Sequence, residues 1–182
     1  MLNCIIKNDI ALTAVNKNTV LNKKLIDSIG EELLNRNESI AVAESVSGGL
    51  LQAAFSIAEN ASQFFQGGIT TYNVGQKYRH LLIDPLHALS CDSVSLQIAE
   101  SMSKQVCCMF TSTFGLASTG YASLVPEKNV NELFTYYAIA KGSQVIDSGL
   151  IHSKEGEGLE TQLFYVDEIL KKFKLILKNT SY

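Results

Sequence analysis

The sequence predicts an α/β protein, a three-layer α/β/α arrangement around a mixed sheet. Three observations carry that prediction. Strand-like apolar runs alternate with helical periodicities early in the chain, the later strand-like runs follow one another directly, and a long amphipathic stretch closes the sequence.

Leu21, Leu25, Ile26, Ile29 and Leu33 recur at helical spacing and predict a first helix over 21–35, ending at Asn35-Arg36-Asn37. A strand over 39–44 follows, built on Ile40-Ala41-Val42. Apolar residues at 50, 51, 54, 55 and 58 then mark a helix over 48–58. Phe64 to Tyr72 is rich in aromatic and β-branched residues, so its second half reads as a strand. Val74 to Leu82 reads as a short helix closed by Asp84-Pro85. Val94, Ile98, Met102, Val106 and Met109 make 92–110 the clearest amphipathic helix, with Asp92 or Ser93 as its N-cap. Strands are predicted over Phe114–Tyr121, Leu133–Ala140 and Gln144–His152, the last two as a hairpin through Lys141-Gly142-Ser143. The polar segment from Ala122 to Asn131, with Pro126, reads as a loop. Leu159, Leu163, Val166, Leu170, Phe173 and Leu177 predict the final long helix.

A length of 182 residues with 46% hydrophobic content fits one core without disulfides or metal. No linker or repeat divides it, so 20–182 is read as a single domain preceded by an N-terminal extension over 1–19. The net charge of −3 and only two arginines, Arg36 and Arg79, leave no basic stripe for nucleic acid. No apolar run approaches the ~18 residues of a membrane span, and Met1–Asn18 lacks a signal-peptide layout. Cys4, Cys91, Cys107 and Cys108 show no paired metal spacing, so reduced thiols in the cytoplasm and no metal are expected.

The junction Ala43-Glu44-Ser45-Val46-Ser47-Gly48-Gly49 carries most of the functional information. A strand entering a helix through small residues presents backbone N–H groups beside two hydroxyls and a carboxylate, a place for an anion or a developing oxyanion. Two readings of the serines stay open: a helix cap alone, or a cap beside a nucleophile. No Gly-x-Ser-x-Gly elbow is present, and His80, His87 and His152 lie near none of the small-residue turns. Lysine is the other candidate base. Lys77 follows Tyr72 across a strand-to-helix turn, where ligands gather in open α/β sheets. Lys77 is either a solvated surface lysine or a desolvated base, and Tyr72 either a rim aromatic or a proton relay.

These residues also carry a family resemblance. Ala-Glu-Ser-Val-Ser-Gly-Gly (43–49) resembles the Ala-Glu-Ser-Cys-Thr-Gly-Gly signature of the C-terminal domain of competence/damage-inducible CinA proteins. Gly67-Gly68-Ile69-Thr70-Thr71-Tyr72, then Lys77 and Leu81-Leu82, is similar to that family's Gly-Gly-x-x-x-Tyr-Ser-Asn-x-x-Lys segment and the Leu-Leu-Gly-Val after it. The similarity runs from about residue 20 to 178. It implies the three-layer fold and, in active members, nicotinamide-nucleotide amidase chemistry. That reaction hydrolyses the carboxamide of nicotinamide mononucleotide to nicotinic acid mononucleotide and ammonia, without a cofactor. Ser45 then corresponds to the nucleophile, Lys77 and Tyr72 to its activating partners, and Glu44, Ser47, Gly48, Gly49, Thr119 and Gly120 to the substrate-binding rim. A small nucleotide substrate and a homodimer or larger homo-oligomer are implied as partners.

The departures are equally specific. The family's Gly-Ile-Ala-Gly-Pro-x-Gly-Gly loop is here Gly120-Tyr121-Ala122-Ser123-Leu124-Val125-Pro126, its Val-Ser-Glu segment is Leu89-Ser90-Cys91, and its Gly-Asp-Arg is the arginine-free Lys154-Glu155-Gly156-Glu157-Gly158. An arginine fork is the usual partner of a phosphate. The resemblance therefore describes a divergent member, either an amidohydrolase or a catalytically silent paralogue that binds a nucleotide or a protein. An active pair requires the Lys77 amine within about 2.6–3.2 Å of Ser45 Oγ, or joined to it through one water.

Overall fold

The computed structural model describes residues 21–154 and 156–179; the expected extension over 1–19 lies outside them. Asn22 caps the first helix, α1 (Lys23–Asn35), by accepting from the Leu25 N–H, and Ile26, Ile29 and Leu33 are its buried stripe. Strand β1 (Ile40–Glu44) leads into α2 (Leu50–Ser56), and β2 (Phe65–Thr70) into α3 (Val74–Leu81), α4 (Pro85–Ser90) and α5 (Leu96–Phe110). Strands β3 (Phe114–Tyr121), β4 (Leu133–Lys141) and β5 (Gln144–Ser153) follow, and α6 (Leu159–Asn179) closes the chain.

The five strands form one mixed sheet in the order β2-β1-β3-β4-β5. Strand β1 runs parallel to both β2 and β3, whereas β3-β4 and β4-β5 are antiparallel. Having left β1 for β2 on one side, the chain returns across it to β3. The C-terminal ends of β1, β2 and β3 are thereby brought together, at the kind of crevice where open sheets hold ligands.

Strand alternation divides the core into two layers. Ile40, Val42, Leu116 and Ile139 pack with α1, α2 and α6 around Phe55, Phe114 and Phe173. Ala41, Ala43 and Ala117 face the other way, against Ile98, Met102 and Val106 of α5 and Leu81 of α3. The second layer is built from small strand residues, which lets α5 sit close to the sheet. Gly115 is the extreme case, since a Cβ there would stand 2.1 Å from the Ser103 carbonyl oxygen on α5.

The predicted fold class and the β4–β5 hairpin are present as expected, with two local differences. Residues 85–90, absent from the expected elements, form α4, whose start is specified by Asp84 accepting from the Leu86 N–H and by Pro85 in the first turn. The next helix does not begin at 92. Asp92 and Ser93 have φ of 49° and 62°, a left-handed turn that no helix continues through, and Ser95 caps α5 by accepting from the Ile98 N–H. Cys107 and Cys108 are unbridged. Among the described residues no helix is long and apolar enough to cross a membrane, and no group of three His, Cys, Asp or Glu gathers as a metal site.

Gly115→Ala tests the close sheet-to-helix contact. Backbone stands in the way of the new methyl, so a loss of about 3 kcal/mol is expected in denaturant melts. An unchanged midpoint would show that α5 can move away freely.

Candidate active site

The turn after β1 is organised by Glu44 rather than by either serine. The Glu44 carboxylate, fully buried, accepts from the N–H groups of Gly49 at 3.1 Å, Leu51 at 3.0 Å and Gln52 at 2.9 Å. It also accepts from Ser47 Oγ at 2.6 Å and Gln52 Nε2 at 3.0 Å. The first N–H groups of α2 and its positive dipole end are thus satisfied by a carboxylate from the strand itself. Because Ser47 spends its proton on Glu44, Ser118 Oγ, 2.7 Å away on β3, is the donor to Ser47. Gly48 and Gly49, at φ of 61° and 105°, supply the backbone shape that folds the turn onto that carboxylate.

Ser45 is left free of the cap. Its N–H donates to the Ser118 carbonyl, and its Oγ accepts a 3.0 Å hydrogen bond from Lys77 Nζ. That distance lies inside the range required of a serine–lysine pair. Lys77 is not a solvated lysine, being only 1% exposed. It points inward because Asn73 caps α3 through the Gln76 N–H and sets the helix phase. Burial pulls its pKa down to about 8, with Asp92 and Cys91 partly opposing the shift. About a tenth of the lysine is then neutral at pH 7, the form able to take a proton from serine.

Ser45 and Lys77 open into a cleft of about 310 Å³. Tyr72 stands at its mouth, 76% exposed, and makes no hydrogen bond to either partner among the described residues, so it is not a direct activator in this geometry. Of the six expected rim residues only Gly120 lines the cleft. Glu44, Ser47, Gly48 and Gly49 belong to the cap. Thr119 is buried and donates to the Ser93 carbonyl at 2.8 Å, holding the left-handed turn. Gly49 N–H serves Glu44 and Gly48 N–H serves the Ser45 carbonyl, whereas the N–H groups of Val46 and Ser47 have no partner among the described residues.

Several cleft residues were not singled out from the sequence. Asp92 Oδ2 accepts from Tyr121 Oη at 2.8 Å and from Lys128 Nζ at 2.7 Å. The Lys128 contact comes first in holding the Asp92 carboxyl below its ordinary pKa, while burial and that carboxylate push the Tyr121 phenol up. Gln162 of α6 donates to the Val46 carbonyl at 2.8 Å and so holds the Ser45 turn from the layer that α2 and α6 share. No histidine lines the cleft, and His87 is instead paired with Ser95 at 3.1 Å.

The chain matches the CinA C-terminal domain over residues 22–149. It belongs to that family. The CinA-like protein of Chlorobium chlorochromatii (strain CaD3) is 30% identical over 157 residues, covering 85% of this chain and 37% of its own length. A putative competence-damage inducible protein of Streptococcus pneumoniae (strain ATCC 700669 / Spain 23F-1) is 33% identical over 124 residues, 67% of this chain and 30% of its own length. This CinA C-terminal domain thus spans about a third of the length of the curated relatives it matches. Crystal structures of CinA superfamily proteins share its fold. The one from Enterobacter cloacae superposes with a TM-score of 0.80 at 20% identity, over 91% of this chain and 97% of its own. The one from Klebsiella pneumoniae 700603 does so with 0.81 at 18%, over 90% and 99%.

Two stability measurements test this geometry. Glu44→Gln places an amide NH₂ among donors, and a loss of roughly 2–4 kcal/mol is expected; an unaltered melt would mean the cap is dispensable. For Lys77, the folded protein releases the proton near pH 8, whereas the unfolded chain keeps it to about 10.4. The unfolded state binds more protons between those values, so stability rises with pH across that window. Lys77→Met is expected to remove the rise and to stabilise the protein at pH 7 by roughly 1–3 kcal/mol. A destabilised variant with the same pH slope as wild type would contradict the buried amine.

Proposed function

We propose that this CinA C-terminal domain is a Ser–Lys amidohydrolase of the nicotinamide-nucleotide amidase type, which cleaves a primary carboxamide to a carboxylate and ammonia. The observation that carries the reading is the 3.0 Å contact between the buried Lys77 amine and Ser45 Oγ at the mouth of a cleft. Neutral Lys77 takes the Ser45 hydroxyl proton as Oγ bonds to the amide carbon. The carbonyl oxygen becomes an oxyanion, for which the unpartnered Val46 and Ser47 N–H groups are the nearest donors in sequence. Lys77 returns the proton to the amide nitrogen, the C–N bond breaks, and ammonia leaves behind a Ser45 ester. Water then attacks that ester, with Lys77 as base again, to release the acid and restore the serine. Tyr72 serves as an orienting aromatic wall at the entrance. The reading draws on the family resemblance for the substrate, nicotinamide mononucleotide, and on the Ser45–Lys77 geometry for the chemistry.

A second reading is a paralogue that binds without turning over. It is favoured by the Asp92–Lys128–Tyr121 cluster, which places bulk and a carboxylate in the cleft where the family's glycine-rich loop leaves space.

Ammonia release from nicotinamide mononucleotide separates the two. Wild-type turnover is expected to fall by on the order of 10³-fold or more in Ser45→Ala. Equal release by that variant would remove Ser45 as the nucleophile, and no release by wild type would favour the silent paralogue. The rate is also expected to rise with pH through a midpoint near 8, as Lys77 loses its proton. A profile flat from pH 7 to 9 would exclude lysine as the base.

A further inference from the structure

The two edges of the sheet are finished differently. Strand β2, at one end, is short, with Gly67 at φ of 127° and a register shift against β1 between Ile40 and Ala41. Shortness, glycine and bulges keep an edge from pairing with another chain. Strand β5, at the other end, runs from Gln144 to Ser153 without a proline or a lysine. Its outer side pairs with no strand among the described residues. The one irregularity against β4 falls between Val145 and Asp147, so the ladder is regular from Asp147 to Ser153. Such an edge offers a row of backbone N–H and C=O groups to a further strand.

The side chains along this run are self-compatible. Ser148, Leu150 and His152 lie on the α5 side, opposite Ala138, Tyr136 and Phe134 of β4, and Ser148 donates to Glu100 of α5. Asp147, Gly149 and Ile151 lie on the α6 side, where Asp147 accepts from Tyr137 Oη at 3.0 Å and Ile151 joins the core. Leu150 is an exposed aliphatic residue in the middle of the run. Beside it, Tyr121, Phe134 and His152 stand in register across β3, β4 and β5, with ring centroids 5.6 Å and 6.2 Å apart. An aromatic row thus reaches from the cleft wall to this edge.

Two copies of one strand related by a two-fold axis pair antiparallel, with one residue facing itself. Centred on Leu150, the pairing sets Leu150 against Leu150 of the partner subunit and Gly149 against Ile151 of the partner subunit. Ser148 then meets His152 of the partner subunit, and Asp147, the run's one carboxylate, meets Ser153 of the partner subunit. Apolar faces apolar at the centre, and no charge faces its like. Centring on Gly149 instead would set the Asp147 carboxylate against Ile151 and Leu150 against Ser148, so the pattern itself selects the register.

We propose that β5 is the docking edge for a second copy of this chain, the two strands pairing about an axis at Leu150 and joining the two five-stranded sheets into one. A strand-to-strand contact of this length is smaller than the ~1,600 Å² of a standard interface, so the dimer forms and dissociates with concentration.

Sedimentation velocity of the full-length chain, from low micromolar to sub-millimolar concentration, tests the inference. The wild type is expected to shift from monomer to dimer. Leu150→Lys and Leu150→Glu each place like charges face to face at the axis, and each is expected to weaken the association at least about 10-fold. Mixed in equal amounts, the two variants should recover it, because lysine then faces glutamate; recovery also shows that both are folded. A wild type that stays monomeric throughout overturns the inference and leaves the edge to another segment or another protein. A variant that dimerises as the wild type does also overturns it, by placing the contact elsewhere. A mixture no more associated than its components removes the self-paired register and the inference with it.

Discussion

The Glu44 carboxylate is the contact on which the rest of the site depends. It stands at the last position of the central strand and turns back across the bend to collect the first N–H groups of the following helix. Helix caps are ordinarily supplied from within the turn; supplying this one from the strand fixes the angle between strand and helix and frees Ser45 from capping. Ser47, Ser118 and Gln52 complete the shell around the carboxylate, so the burial of a charge-bearing group is compensated by hydrogen bonds on both oxygens. The same contact removes the helix terminus from the inventory of anion sites.

Lys77 illustrates the opposite balance. A lysine amine buried with a serine hydroxyl as its hydrogen-bond partner costs stability, because desolvation disfavours the charged form. The residue is explained by its reach to Ser45, not by the fold. Strained or costly groups of this kind mark a working site more reliably than a merely polar one does.

The fold was legible in the sequence because each strand and helix carries its own period: Ile40/Val42 against Ala41/Ala43, and Ile98, Met102 and Val106 along one helix face. The helix at 85–90 was signalled by Asp84-Pro85, an N-cap followed by the residue best suited to a first turn, but six residues hold too little periodicity to stand out. Asp92 and Ser93 have the composition of a helix cap. Their left-handed backbone is set by Thr119 reaching across from β3, a contact 26 residues away that no local pattern encodes. The approach of Lys77 to Ser45 was legible only through the family resemblance, and Tyr72, drawn from the same resemblance, bonds to neither among the described residues. The roles of Glu44 and Ser47 were not legible, because a carboxylate or hydroxyl at a strand-to-helix junction has the same sequence signature whether it binds a ligand or the protein's own backbone.

The hydrogen bond from Gln162 to the Val46 carbonyl spans 116 residues, and that between Ser47 and Ser118 spans 71. The Ser45 turn therefore takes its shape from distant contacts as well as from the local cap of Glu44. It is complete only when parallel strands far apart in the chain have paired and the last helix has docked, a slow class of event in a folding reaction. A collapsed form lacking either contact would leave the Ser45 turn without its distant supports. The contact between Lys77 and Ser45 thus sits on a turn that is complete only once the helix over Leu159–Asn179 has docked beside it.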